Sequence, residues 1–158
     1  MIQAELSRRA FLRSSGAAMK ASCITLTFPM VLTACSRANE TRLNGGDFAT
    51  LSAVEAREYD AIAARIIPTD ETPGAREAGA VYFIDNVIAD AFERQRQTLR
   101  LGLADLQANT AALYDTALFA DLTSVQQDSL LTQIEETEFF ATIRFLVIAA
   151  MFSMPEYG

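Results

Sequence analysis

Two helix-start patterns constrain this chain more than any other local feature. Ser52 and Glu55 form the pattern Ser-x-x-Glu, while Thr123 and Gln126 form Thr-x-x-Gln, and a stretch with apolar residues at helical spacing follows each pair. In such a capping box the hydroxyl accepts a hydrogen bond from the backbone of the third helical residue, and that residue's side chain reaches back to the cap. Each pattern therefore predicts the first turn of a helix.

Helical spacing continues along the rest of the body. No segment shows convincing strand alternation, and hairpin dipeptides are absent from the sequence. We therefore predict an all-α fold: a single small helical domain of about five helices after a cleaved signal segment. The first predicted helix runs from Ser52 to about Ile67, where Pro68 ends it. The second runs from Ala75 into the nineties, and the third covers 94–114. The fourth begins at Thr123, and the fifth is the stretch EFFATIRFLVIAAMF.

The last predicted helix is apolar almost all round, with Arg144 as its one charge. It is too short and too charged for a membrane span, which needs about 20 apolar residues. A helix that is apolar on every side must be covered on every side. It is therefore either the central helix of the bundle or a helix with one face on another protein. We predict a partner interface at Phe139, Phe140, Phe145 and Phe152, and in second place at Pro68, Thr69, Asp70, Pro73 and Gly74.

The body of the chain offers little material for catalysis. The whole chain has 158 residues, which suffice for one domain, and it contains no histidine, the usual general base near neutral pH and the commonest metal ligand. The two cysteines, Cys23 and Cys35, lie near the N-terminus, so the body has no internal disulfide and no thiolate metal site. The glycines of TPGAREAGA lack the spacing and the lysine of a phosphate loop.

Neighbouring carboxylates are the remaining candidates for chemistry. Paired carboxylates can do acid–base work, but acidic loops and helix ends are far more often simply solvated. We therefore predict no catalytic, cofactor-binding or metal-binding residues in this chain. The carboxylates concerned are Asp70, Glu71, Glu135, Glu136 and Glu138.

Charge is divided unevenly along the chain. Up to Ala34, Arg8, Arg9, Arg13 and Lys20 stand against Glu5, which gives a net charge of +3. Since the whole chain carries −7, the remainder carries −10. Phosphate binding needs a basic face, so the acidic body argues against nucleic acid as a partner.

The basic N-terminal segment has the three parts of a secretory signal. Arginines come first, a mildly apolar stretch from Ala17 to Leu32 follows, and small residues come after it. The pattern Ser7-Arg8-Arg9-Ala10-Phe11-Leu12 resembles the bacterial twin-arginine export signal, which implies export of an already folded cargo by the twin-arginine translocase. An ordinary secretory signal or an amphipathic basic helix are the alternatives.

Two cleavage positions compete after the apolar stretch. Leu32-Thr33-Ala34-Cys35 resembles a lipobox, in which Cys35 would be lipidated and become the new N-terminus. The alternative is cleavage after Ala38. With lipidation we expect a periplasmic, membrane-anchored lipoprotein. The predicted division is a signal peptide at 1–34, a polar tether at 35–50 and a helical domain at 51–158.

One run in the body resembles a known family. The run ARIIPTDETPGAREAG from Ala64 to Gly79, continuing to Phe83-Ile84-Asp85, is similar to the gluconate 2-dehydrogenase subunit 3 family. Two further stretches agree: Phe119-Ala120-Asp121-Leu122-Thr123 with Gln126-Gln127, and Phe139-Phe140 through Arg144 to Met151-Phe152-Ser153-Met154-Pro155-Glu156-Tyr157-Gly158. The resemblance covers roughly Leu51 to the end.

The resemblance implies a non-catalytic accessory subunit. In such complexes a large flavoprotein of the glucose–methanol–choline oxidoreductase type holds FAD and oxidises a sugar or polyol, and a c-type cytochrome subunit with haem c often passes the electrons on. The small subunit carries the twin-arginine signal and supports folding, assembly and export of the flavoprotein.

The chain departs from the family pattern at its end. Family members usually continue beyond the PEYG motif with a segment that contains Gly-Asn and with an aromatic tail, so a short reading frame or a fragment is expected. A free-standing helical envelope lipoprotein with a structural or binding role is the alternative function. An enzyme in its own right is the weakest interpretation, given the residues above.

Overall fold

The computed structural model describes residues 28–91 and 93–153. The export motif at Ser7, Arg8, Arg9, Phe11 and Leu12 lies outside these residues, as does the PEYG motif. Across the described ranges the secondary structure is helical and contains no strand, which confirms the all-α prediction. The α-helices are α1 (Phe28–Asn44), α2 (Ala53–Ile66), α3 (Ala75–Ala78), α4 (Ala80–Asp90), α5 (Glu93–Leu113), α6 (Ser124–Gln133) and α7 (Glu138–Ser153), with a 3₁₀ helix at Phe119–Asp121 between α5 and α6.

Helix α7 lies at the centre of the bundle. It contacts α1, α2, α3, α4 and α5, and one side of it carries the fully buried Ile143, Leu146, Val147 and Ala150. The sequence left two alternatives for this helix, the centre of the bundle or a face on another protein. The structure places it at the centre of the bundle. None of the described helices is both long enough and apolar enough to cross a membrane.

Both capping boxes are present. Ser52 Oγ accepts from the Glu55 backbone N–H at 3.2 Å, and Glu55 Oε2 accepts from the Ser52 N–H at 2.9 Å. At the start of α6 the Thr123 N–H donates to Gln126 Oε1 at 2.9 Å, and the Gln126 N–H donates to the Thr123 hydroxyl. These patterns are local, and the helices begin where they predict.

The helix predicted from Ala75 into the nineties is divided at Gly79. This residue has a φ of 72°, in the left-handed region, where it ends α3 and precedes α4. A Cβ at Gly79 would also lie 2.6 Å from Arg42 Cδ. Glycine therefore meets two demands here: it allows the change of direction between the helices, and it leaves room for the Arg42 side chain.

The predicted tether at 35–50 requires a correction, because its first ten residues are helical. Helix α1 extends to Asn44 and packs against α4 and α7. Its buried residues Ala34, Cys35 and Ala38 are small and share one side, so the helix can approach its neighbours closely. Its polar residues face outward, which is why the sequence resembled a loop. The connection to α2 is thereby reduced to residues 45–52.

Candidate interaction surface

The most specific stretch of the sequence, residues 67–74, forms a compact surface loop between α2 and α3. Its ends are joined by a hydrogen bond of 2.9 Å from the Ala75 N–H to the Ile67 carbonyl. A Cβ at Gly74 would lie 2.6 Å from Thr69 N and 2.7 Å from the Ile67 carbonyl oxygen. Because these neighbours are backbone atoms that cannot move aside cheaply, only glycine fits at position 74.

Two carboxylates hold this loop in shape. Glu77 Oε2 accepts from the Thr69 hydroxyl and from the Gly74 N–H, the latter at 3.1 Å. Asp70 Oδ1 accepts from the Thr72 N–H at 2.8 Å and from the Thr72 hydroxyl at 2.9 Å. The hydrogen bond from Thr69 lowers the pKa of Glu77, and those from Thr72 lower the pKa of Asp70, because they favour the charged forms. The loop thus has a fixed shape while the side chains of residues 68–73 remain exposed.

A groove of about 370 Å³ borders the loop at the end of α2. Ile66 lines the groove and Ile67 begins the loop, so the two features adjoin at the end of α2. Arg65 and Asp128 form a two-pronged ion pair along it, with Nε–Oδ1 at 2.7 Å and Nη2–Oδ2 at 2.8 Å. Those hydrogen bonds raise the pKa of Arg65 further above its usual value. The other lining residues are Leu131, Thr132, Glu135, Phe140 and Arg144.

Arg144 is the exposed cation of this groove. It forms no ion pair with any residue in the described ranges, whereas Arg65 beside it is fully engaged with Asp128. Phe140, one helical turn earlier on α7, is half-buried in the same groove. The groove therefore combines the apolar side chains of Ile66, Leu131 and Phe140 with an exposed guanidinium, an arrangement that interfaces use for orientation and specificity.

The four aromatic residues predicted for an interface have different positions. Phe139 is 5% exposed and packs against α5, where a Cβ at Gly102 would lie 2.2 Å from its Cγ atom. It is a core residue, which corrects its prediction as an interface residue, and Gly102 provides the space for its ring. Phe140 and Phe145 are half-buried, and Phe152 is 65% exposed at the end of α7.

The loop residues predicted with them are exposed at Pro68, Thr69, Asp70 and Pro73, whereas Gly74 is buried. Of the predicted aromatic residues, Phe140 lines the groove that adjoins this loop at the end of α2. It places Phe145 and Phe152 elsewhere along α7. The surface formed by residues 67–74 and the groove beside them is hereafter called the loop–groove surface.

Two buried carboxylates were not predicted as important. Asp85, on α4, is 2% exposed and accepts three backbone hydrogen bonds, from Ala49 at 2.6 Å and from Thr50 and Leu51 at 2.9 Å each. It fixes the chain just before α2. The clue in the sequence is an aspartate inside the apolar stretch VYFIDNVI, because such a residue is buried only with partners.

Glu58 plays the same part on α2. It is fully buried and accepts from the backbone N–H groups of Phe119 at 3.2 Å and Ala120 at 2.9 Å, which holds the 3₁₀ helix in place. The neighbouring Tyr59 donates its hydroxyl to the Leu99 carbonyl at 3.1 Å, and burial raises the pKa of Tyr59. These polar groups are engaged in joining elements of the fold.

The carboxylates considered for acid–base chemistry do not form one cluster. Asp70 and Glu71 are exposed in the loop, and Glu135, Glu136 and Glu138 are exposed between α6 and the first turn of α7. Within residues 28–91 and 93–153, no group of three or more His, Cys, Asp and Glu side chains could hold a metal ion.

The described residues form a small all-α domain in which Glu58, Tyr59 and Asp85 join separate elements of the fold, and the loop at 67–74 presents exposed side chains. Comparison with family models gives the family directly. The model described as gluconate 2-dehydrogenase subunit 3 matches residues 53–158, and the chain belongs to that family. Searches among curated proteins and among solved structures gave no match.

Proposed function

We propose that this chain is a non-catalytic accessory subunit that supports folding, assembly and twin-arginine export of an FAD-dependent dehydrogenase of the glucose–methanol–choline type. Family membership indicates a subunit of a gluconate 2-dehydrogenase complex. To this membership we add three proposals: the role in export, a flavoprotein partner that holds FAD, and a third subunit with haem c.

The observation that carries the proposal is the family match over residues 53–158 in a chain that begins with a twin-arginine pattern. The twin-arginine route exports folded cargo, so a small subunit bound to a folded flavoprotein could take both across with one signal. The loop–groove surface supports this role, since a preorganised loop binds with little loss of conformational entropy.

Replacement of both Arg8 and Arg9 by Lys tests the carrier role. The variant keeps the charge of the segment but loses the arginine pair, so we expect both this chain and the flavoprotein to accumulate in the cytoplasm. The measurement is flavin-dependent dehydrogenase activity in separated cytoplasmic and periplasmic fractions. Arg13→Lys is the matched control, because it changes an arginine of the same segment outside the pair.

A flavoprotein that still reaches the periplasm with the double variant would contradict the carrier role. Purification of the wild-type complex from the periplasm gives the second measurement. A co-purifying partner with a flavin absorption spectrum supports the accessory role. Recovery of this chain alone, together with lipid on Cys35, would favour the free-standing lipoprotein.

Arg144→Glu tests the loop–groove surface as the contact site. Reversal of the one available cation in the groove should weaken complex formation by at least tenfold if it meets an acidic group of the partner. Arg100→Glu is the matched control, because Arg100 is exposed on α5 and does not line the groove. Equal binding of both variants would place the contact elsewhere.

A further inference from the structure

Helix α1 contains both predicted cleavage positions. The bond between Ala34 and Cys35 and the bond after Ala38 lie well inside Phe28–Asn44. The residues around these bonds are also buried: Ala34 is 3% exposed, Cys35 is 8% exposed and Ala38 is 1% exposed. In the folded chain, both bonds are therefore in a regular helix with one side packed against the domain.

Contacts at two points hold α1 along α4. Arg37 Nη1 lies 3.1 Å from Asp90 Oδ2 at the last residue of α4. Arg42 donates to the Glu77 carbonyl at 3.3 Å, and its stem passes Gly79, next to the first residue of α4. These contacts make α1 antiparallel to α4 and hold it on both sides of Ala38.

Cleavage of a peptide bond requires a locally open chain. Proteases cut exposed, flexible segments, and folded segments are cut through the fraction that is transiently open. We propose that the docking of α1 on α4 closes both cleavage positions, so that the signal segment is removed only from a state in which α1 has opened. This inference rests on the proposed export role, because it requires the N-terminal segment to be a cleaved signal on a folded cargo.

The contacts that hold α1 on the domain are of kinds that contribute little stability, as a helix that opens for cleavage requires. The residues it contributes to the buried core are small, whereas Leu32 is 50% exposed and Leu43 is 71% exposed. The side chains of Arg37 and Asp90 are each about half exposed, and such pairs contribute little to stability. The proposal requires that α1 detach while the core around α7 remains folded, which small buried residues and a half-exposed ion pair favour.

The test weakens docking without changing the sequence around the cleavage positions. Asp90→Arg places a like charge against Arg37 from the α4 side. Arg42→Ser removes the second contact, and residue 42 lies beyond both cleavage positions. The matched controls are Asp121→Arg and Arg57→Ser, which break the exposed Arg57–Asp121 ion pair without changing any contact of α1.

Two measurements are made on the full-length chain. Pulse–chase labelling in cells follows conversion of the precursor to the mature form, with the new N-terminus identified by mass spectrometry. Hydrogen exchange on the purified precursor follows the backbone amides of residues 28–44. We expect Asp90→Arg to raise both the exchange and the conversion by about fivefold, the factor that corresponds to about 1 kcal/mol, with the controls unchanged.

Unchanged conversion in variants whose α1 amides exchange faster would overturn the gate, and so would exchange that is already unprotected in the wild type. If the precursor stays in the cytoplasm or is never cleaved, the proposed export role fails, and the gate fails with it. Export and cleavage at equal rates in all variants, while the α1 amides exchange faster in Asp90→Arg, leaves the export role standing and overturns the gate alone.

Discussion

Helices α1 and α7 are of similar length, 17 and 16 residues, yet they have opposite parts in the fold. Helix α7 contacts five other helices and buries the branched side chains of Ile143, Leu146 and Val147. Helix α1 buries small residues and leaves both of its leucines exposed. The difference shows that the volume of the buried side chains, rather than helix length, separates the helix at the centre of the bundle from one held at its edge.

The same substitution at two buried alanines should give the largest contrast. Ala150 on α7 and Ala38 on α1 are 0% and 1% exposed. Ala150→Glu places a charge in the core, where the side chain cannot reach solvent. We therefore expect a loss of more than about 4 kcal/mol in the free energy of unfolding. In Ala38→Glu helix α1 can detach instead, so the loss should stop at the cost of its docking, about 1–2 kcal/mol.

Denaturant unfolding followed by circular dichroism measures both losses. Hydrogen exchange of α1 in Ala38→Glu distinguishes detachment from general weakening, since the amides of α7 should stay protected. Equal losses at the two positions would show that α1 is part of the same cooperative unit as α7, and the comparison would fail.

Leucine-to-alanine changes give a smaller contrast of the same kind. Leu146→Ala removes a fully buried side chain from α7, and large-to-small changes in a core cost about 2–5 kcal/mol, depending on how far the cavity closes. Leu43→Ala on α1 removes a side chain that is 71% exposed, so its effect should remain within about 0.5 kcal/mol. A loss of more than about 1 kcal/mol at Leu43 would reveal a contact that the structure does not show.

The contrast also explains which parts of the fold could be predicted from the sequence. The starts of α2 and α6 depend on side chains three residues apart, and α7 depends on a continuous apolar stretch, so local patterns suffice for both. The docking of α1 brings together residues that are far apart in the chain, such as Arg37 and Asp90. Small residues such as Ala38 carry too weak an apolar pattern to reveal a packed side.

In the candidate site, too, some features could be predicted from local sequence and others depend on distant residues. Exposure of the loop at 67–74 could be predicted from its prolines and polar residues, and its position next to a groove could not. Phe139 lies in the core whereas its neighbour Phe140 lies in the groove. The space for the Phe139 ring comes from Gly102 in another helix, which the local sequence does not reveal. Likewise, Asp85 is important because three backbone donors from a distant segment converge on it.

The smallest effect concerns the loop at 67–74, which lies at the surface like α1 and is held in shape by the carboxylates of Asp70 and Glu77. The hydrogen bond from Thr69 lowers the pKa of Glu77 below its ordinary value of 4.5. A carboxyl group whose pKa is lower in the folded state stabilises that state above its unfolded pKa, and this contribution is lost as the pH falls through the folded pKa. The order of the loop should therefore be constant near neutral pH and decline only in acid, below the ordinary range of Glu77.

Thr69→Val removes the largest cause of this shift, so the pKa of Glu77 should move back toward its ordinary value and the loop should lose order at a higher pH than in the wild type. NMR titration of the Glu77 carboxyl group, with hydrogen exchange of residues 67–74, measures both changes. Thr132→Val is the matched control, because the Thr132 hydroxyl donates to the Asp128 carbonyl and to no carboxylate in the described residues. The amides of α7 should not respond to either variant in this pH range, since burial rather than a carboxylate holds that helix. A midpoint that Thr69→Val leaves unchanged would mean that the backbone N–H groups near Glu77 are sufficient to hold the loop.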